Sequence, residues 1–333
     1  MPTRKSGGRR TGGATEPSPP DRRLMEQQMS AITRLLAERE FASIEEANDY
    51  LREALVEGTL PTPAPTTPLE EAQEVIYQAL ETTGKRRLDL ARQALTISPD
   101  CADAYVLLAE AATTPEKARR LYEQGVQAGE RALGPEAFVE DVGHFWGIVE
   151  TRPYMRARQG LAEVLWHLGE RSAAIAHLQD MLRLNPGDNQ GLRYTLAGWL
   201  LAVGDDAALA RLLAAYPDDA GAHWAYTRAL LTFRRQGPGP AADRALRQAL
   251  RANPHVPAYL LGAKPFPAQP PDHYGIGDDN EAVIYLAEAA EGWLETPEAP
   301  EWLAAALKRL RPSSSASNTH KCPVKMSPGP TRP

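Results

Sequence analysis

The sequence predicts an all-α protein, a right-handed α–α superhelix (a solenoid of helical hairpins) with disordered tails at both ends. Two observations carry that expectation. Apolar residues recur at three- and four-residue spacing from Leu24 to Leu307, and glycine or proline interrupts most of the runs after one helix length. Within residues 155–188, a run, a glycine, a second run and a proline follow one another as a complete helix–turn–helix unit.

In that unit Leu161, Leu165, Leu178 and Leu182 sit at helical spacing and fill the seam between two antiparallel helices. Ala162 and Ala174 are small where the helices cross. Gly169 ends the first helix because glycine takes the left-handed cap conformation without penalty, and Pro186 stops the second because it has no N–H to continue the ladder. The pattern resembles a tetratricopeptide repeat of about 34 residues. One such hairpin cannot bury its own apolar face, so neighbours are required.

Composition narrows the class. A chain of 333 residues with 43% hydrophobic and 24% charged residues can build a core and stay soluble. Its net charge of −6 argues against a nucleic-acid partner. The two cysteines, Cys101 and Cys322, are far apart, so neither a zinc site nor a disulfide framework is expected and a reducing, cytoplasmic setting is. No apolar run approaches the roughly 20 residues of a membrane span. The basic N-terminus lacks the apolar segment of a secretory leader. Usage heavy in Ala, Arg, Leu and Pro fits a GC-rich bacterial source.

Taken in order, residues 1–20 have almost nothing to bury and read as a disordered basic tail. Residues 21–58 form an N-terminal helical hairpin. Its first helix is marked by Leu24, Met25, Met29, Ile32, Leu35 and Leu36, and Ser43 with Glu46 opens the second as a capping box. Residues 59–68 are a stiff proline-rich linker. Residues 69–310 are the irregular repeat array. It contains an aperiodic insertion at 134–153 and a proline- and aromatic-dense stretch at 255–277 that cannot hold a regular helix. Residues 311–333, including Cys322, read as a disordered Ser/Pro-rich tail.

Three stretches carry a further likeness. SPDCADAYVLLAEAATTPEKARRLYEQGVQAGE (98–130), NPHVPAYLLGAKPFPAQPPDH (253–273) and DDNEAVIYLAEAAEGW (278–293) resemble the suppressor of tumorigenicity 7 (ST7) family. They occur in the family's order, and the likeness spans roughly Leu69 to Leu303. It implies a helical architecture and a binding role, and brings no catalytic residues. The membrane segments of the family's eukaryotic members are not carried over, because this chain has no apolar run long enough.

The expected function is a non-enzymatic scaffold or adaptor that holds a protein or peptide in the concave groove of the array, without cofactor or metal. In a tetratricopeptide unit the second, fifth, ninth, twelfth and thirteenth positions of the first helix face that groove. Here they are Arg156, Gln159, Glu163, Trp166 and His167. Neighbouring units add Tyr194 and Leu201, then His223, Tyr226 and Phe233. Arg, Trp and Tyr together suit a protein-binding hot spot, although Trp166 and Phe233 read equally well as core. Gln159 and Glu163 stand where a chaperone-binding carboxylate clamp needs Lys and Asn, so chaperone C-termini are disfavoured. Replacing Arg156 and Tyr226 by Ala is expected to remove binding and leave helicity intact.

Two alternatives stay open. Asp141, His144, Glu150, Arg152 and Tyr154 in and beside the insertion could form an acid–base or metal site, unless Phe145, Trp146 and Ile148 simply pin the loop. A purely structural, self-associating array is the other. In NPHVPAYLL, His255 is a base or ligand only if the motif is not a structural brace. Asp278, Asp279 and Glu281 read as a helix cap.

Overall fold

Helices arise where the apolar spacing places them. The computed structural model describes residues 23–56, 63–269, 271 and 273–310, and every regular element among them is helical. The two expected tails, Gly58, positions 59–62 of the linker and Cys322 lie outside the described residues. The chain divides into two compact units, Met1–Leu196 and Ala197–Pro333.

The first unit holds α1 (Leu24–Ala37), α2 (Ile44–Val56), α3 (Pro68–Leu80), α4 (Gly84–Ile97), α5 (Ala102–Glu110), α6 (Pro115–Glu140), α7 (Arg152–His167), α8 (Arg171–Leu184) and the start of α9 (Leu192–Val203). Three antiparallel pairs, α3/α4, α5/α6 and α7/α8, follow one another, and the first helices α3, α5 and α7 are neighbours. Their starts are chemically marked. Thr67 and Glu70 satisfy each other's backbone N–H groups as a capping box ahead of Pro68, and the Thr114 hydroxyl accepts from the Lys117 N–H ahead of Pro115. Gly169 takes φ +82° between α7 and α8, as its role in the turn requires. Ala72, Ala79, Ala91, Ala94, Ala162 and Ala174 are fully buried at the crossings, so backbones approach closely there.

The insertion is shorter than its sequence suggests. Gly134 (φ 73°, ψ 163°) kinks α6, but the helix resumes to Glu140. Beyond it Phe145 is fully buried, 5.3 Å from the Phe138 ring and 6.1 Å from Tyr154. The Thr151 hydroxyl donates to the Phe145 carbonyl and closes the loop. Phe145 thus pins the segment to the body, as one of the two readings of 134–153 has it.

The second unit contains the end of α9, α10 (Asp206–Ala215), α11 (Ala222–Gln236), α12 (Pro240–Ala252), α13 (Val256–Leu260), α14 (Asp279–Leu294) and α15 (Ala299–Leu310). The stretch expected to exclude helix does form one short turn of it, α13, because Pro257 occupies the first turn, where its missing donor is harmless. Aromatic rings fill this core. Trp302 stacks on Phe233 at 4.6 Å and on Trp293 at 6.2 Å, and Trp293 Nε1 donates to the Tyr285 hydroxyl at 2.7 Å.

Gly198 lies against the backbone of α14. A Cβ there would stand 2.6 Å from the Glu288 carbonyl oxygen, and a backbone atom cannot step aside. Gly198→Ala is expected to lower stability by about 1–3 kcal/mol in a urea titration, whereas Gly239→Ala, with open space around it, should be nearly neutral.

Candidate functional site

The strongest polar constellation in the first unit is buried and centres on Arg156. Its Nε and Nη2 donate to the two carboxylate oxygens of Asp103, at 2.8 and 2.7 Å. Its Nη1 donates to both oxygens of Glu26, each at 2.9 Å. Gln73 Nε2 adds a bond of 3.1 Å to Asp103, and Arg152 Nη1 reaches Glu26 at 3.4 Å. Side-chain exposure is 13% for Arg156, 8% for Glu26 and 2% for Asp103, so the charges are largely out of water. Four helices meet in this cluster: α1 brings Glu26, α3 Gln73, α5 Asp103 and α7 the two arginines.

Arg156 is therefore no free anchor of a groove, contrary to expectation. It is spent on Asp103 and Glu26, and its position in α7 is where α1 crosses. Burial pushes the Asp103 carboxyl up, but the paired guanidinium and its hydrogen bonds outweigh that and leave the group below its usual 3.8. Burial pushes the Cys101 thiol, which lies beside the cluster, up to about 12, so it is a packing group and not a nucleophile.

Further along the same side of α7 lie Gln159, Glu163 and Trp166, three, seven and ten residues on from Arg156. Gln159 is half-buried, donates to Glu163 at 3.0 Å and accepts from Gln190 at 2.8 Å. Glu163 and His167 are exposed. Trp166 is half-buried under the Arg171 guanidinium at 4.9 Å, and Tyr194 is half-buried under Arg193 at 4.3 Å. These are the residues of the expected groove that present side chains to solvent in the first unit.

His223 and Tyr226 belong to the second unit and depart from expectation. Tyr226 is fully buried, and its hydroxyl donates to the Asn253 carbonyl at 2.6 Å. His223 is 7% exposed and lies 3.3 Å from a Glu288 oxygen. Leu201 and Phe233 are buried as well. The spacing argument fails here because α14 packs against α11 and covers the side that a regular array would leave open. Tyr226 is a core residue.

The motif NPHVPAYLL acts as a brace. Asn253 Nδ2 donates to the Asp278 carbonyl at 2.7 Å and to Glu281 at 2.9 Å, and Glu281 in turn accepts from the Ala222 and Gly277 backbone N–H groups. Asp278 caps α14 by accepting from the Glu281 N–H at 2.8 Å. In the 134–153 segment His144 and Glu150 are exposed, Arg152 donates to the Trp146 carbonyl, and the Tyr154 hydroxyl accepts from Arg158. Among the described residues no three His, Cys, Asp or Glu side chains converge as a metal-holding group, and no helix is long and apolar enough to cross a membrane.

Glu26 was not legible as a site residue. An acid in the first turn of a helix reads as a response to the helix dipole, and its partner lies 130 residues away.

Comparison with known proteins gives one consistent match. The family described as "ST7 protein" matches residues 65–304. "Suppressor of tumorigenicity 7 protein-like" of Bos taurus is 31% identical over 230 residues, covering 62% of this chain and 41% of that protein. The Gallus gallus protein of the same description is 30% identical over 252 residues, 68% of this chain and 45% of that protein. "Suppressor of tumorigenicity 7 protein" of Macaca fascicularis is 29% identical over 214 residues, 57% and 40% respectively. The matches thus span less than half the length of these relatives.

Arg156→Ala leaves two buried carboxylates without their counter-charge, and should cost about 3–5 kcal/mol in a denaturant titration followed by circular dichroism. The double change with Tyr226→Ala would therefore cost the fold as well as any binding. A depressed carboxylate gives its full stabilisation above the unfolded-state value and loses it as the pH falls through the folded one. The Asp103 contribution is then complete at neutral pH and fades below about pH 4, so the melting temperature of the wild type should fall more steeply there than that of Asp103→Asn.

Proposed function

The chain belongs to the suppressor of tumorigenicity 7 family, and we propose that it is a non-enzymatic adaptor which holds a helical segment of a protein partner on the face built by α3, α5 and α7. The observation that carries this proposal is that a helix already lies there: α1 meets α7 through Glu26 and α3 through Gln27, Ser30 and Arg34. A surface that accepts one helix by side-chain pairing has the form and chemistry to accept another.

Anchors would come from the part of the face that α1 leaves uncovered, Gln159, Glu163, Trp166 and Tyr194. Two arginine–aromatic pairs in that stripe, Arg171 over Trp166 and Arg193 over Tyr194, match the composition of binding hot spots. Support for tetratricopeptide-type hairpins comes from the α7/α8 unit, where the small, seam and turn positions are all filled as that repeat requires. A cytoplasmic location is proposed from the single buried thiol of the described residues.

A photo-crosslinking side chain at Tyr194 should join a protein partner in native-host extract. The same group at Arg183, on the exposed side of α8, should not. Trp166→Ala should reduce recovery of that partner about tenfold or more. Equal labelling from the two positions would remove this face as the binding surface.

A further inference from the structure

We infer that α1 is an exchangeable internal ligand of the α3/α5/α7 face, and that the external partner is a helix presenting a carboxylate and, two turns later on the same side, a guanidinium. This deepens the binding role proposed above and rests on it.

The orientation of α1 is the first ground. A permanently docked amphipathic helix turns its apolar stripe inward. Here Met25 and Met29, the start of that stripe, are 68% and 37% exposed. The seated side is polar: Glu26, Ser30 and Arg34 stand at i, i+4 and i+8 and meet Arg156, Tyr77 and Glu74. Gln27 donates a second bond to Glu74 at 2.9 Å. Leu35 is the one fully buried apolar side chain of α1, Leu24 is partly buried beside the α3/α4 core, and Ile32 and Leu36 are half-buried.

The second ground is the fit. Beneath α1 a cavity of 110 Å³ remains, walled by Ser30 and Arg34 above and by Leu69, Tyr77, Ala102 and Pro153 below. Hairpin partners elsewhere in the unit meet through fully buried alanines. The third ground is tethering. Among the described side chains of α2, residues 44–54, none is fully buried, so these give α1 little core tether.

Charge complementarity then states what else fits. The face offers Arg152 and Arg156 at one point and Glu74 at another, and α1 answers with Glu26 and Arg34. A partner helix with the spacing Glu-x7-Arg repeats that answer. A second copy of this chain, exchanging α1, would carry the same spacing and is separated by the test.

The probe is a labelled peptide covering residues 23–39 of this chain, titrated into the full-length protein and followed by anisotropy. Wild-type α1 occupies the seat, so binding should be weak. The full chain carrying Glu26→Ala and Arg34→Ala should bind the peptide at least about tenfold more tightly. A peptide carrying Glu26→Ala should lose that gain. Hydrogen exchange on the unaltered protein needs no variant: α1 amides should exchange about tenfold faster or more than those of α3, α5 and α7. Equal peptide binding to both chains, or equal protection of α1 and α3, would overturn the inference and make α1 a fixed part of the fold. The crosslink at Tyr194 would still decide the binding face independently. Doubling of the variant's mass with concentration would assign the seat to a second copy, and would overturn the inference too.

Discussion

A guanidinium taken out of water is the constraint from which the first unit follows. Arg156 can be buried only where carboxylates complete its hydrogen bonds, and a planar fork accepts two carboxylates only in particular orientations. Asp103 meets two of its nitrogens and Glu26 a third, so α5 and α1 are placed relative to α7 by geometry as well as by packing. An apolar set of the same volume would give similar stability. What the ions add is register: sliding α5 by one residue would turn Asp103 away from the fork and leave charges buried without partners.

The second unit solves the same problem with neutral groups and one acid. Asn253 and Glu281 come from two of the three stretches that carry the family likeness, and they meet each other at 2.9 Å. Together they satisfy backbone groups at Ala222, Gly277 and Asp278, which sit where α11 and α14 begin. NPHVP and DDNEA are thus two halves of one lock. Their aperiodicity has a physical reason, since loop backbone has no ladder of its own and must be satisfied by side chains.

Helices were legible wherever apolar spacing and a glycine or proline stop agreed, as in α7 and α8, because those signals are local. The site was legible only in part. Gln159, Glu163, Trp166 and Tyr194 were reached from the repeat positions, and they do present side chains to solvent. Arg156, His223 and Tyr226 were reached from the same positions and are buried. The repeat rule assumes that nothing lies across the first helices, whereas α1 lies across α7 and α14 packs on α11. Such covering elements come from 130 residues upstream of Arg156 and 65 downstream of His223, where no local pattern announces them. In α1 the apolar periodicity marks the helix, and Leu24, Ile32, Leu35 and Leu36 are buried or half-buried as it implies, but Met25 and Met29 are exposed and the charges that seat Glu26 and Arg34 have no local signal.

Magnitudes decide how firmly α1 sits. A buried leucine contributes roughly 1.5–3 kcal/mol, and α1 has one. Its ion pairs, though strong in geometry, give back most of their attraction as desolvation. The unfilled space beneath it forfeits contact energy at every wall atom. A helix of 14 residues is marginal on its own in water, so α1 holds its form largely while it is seated. By contrast α7 buries Tyr154, Met155, Ala157, Leu161, Ala162 and Leu165 along one side, a term several times larger. Removing α7 would dismantle the unit. Lifting α1 exposes Leu35, the half-buried Leu24, Ile32 and Leu36, and three ion pairs, those of Glu26 with Arg152 and Arg156 and of Arg34 with Glu74. The charges that fix the register of α5 on α7 also reach α1, and there they hold a helix that apolar burial alone would not retain.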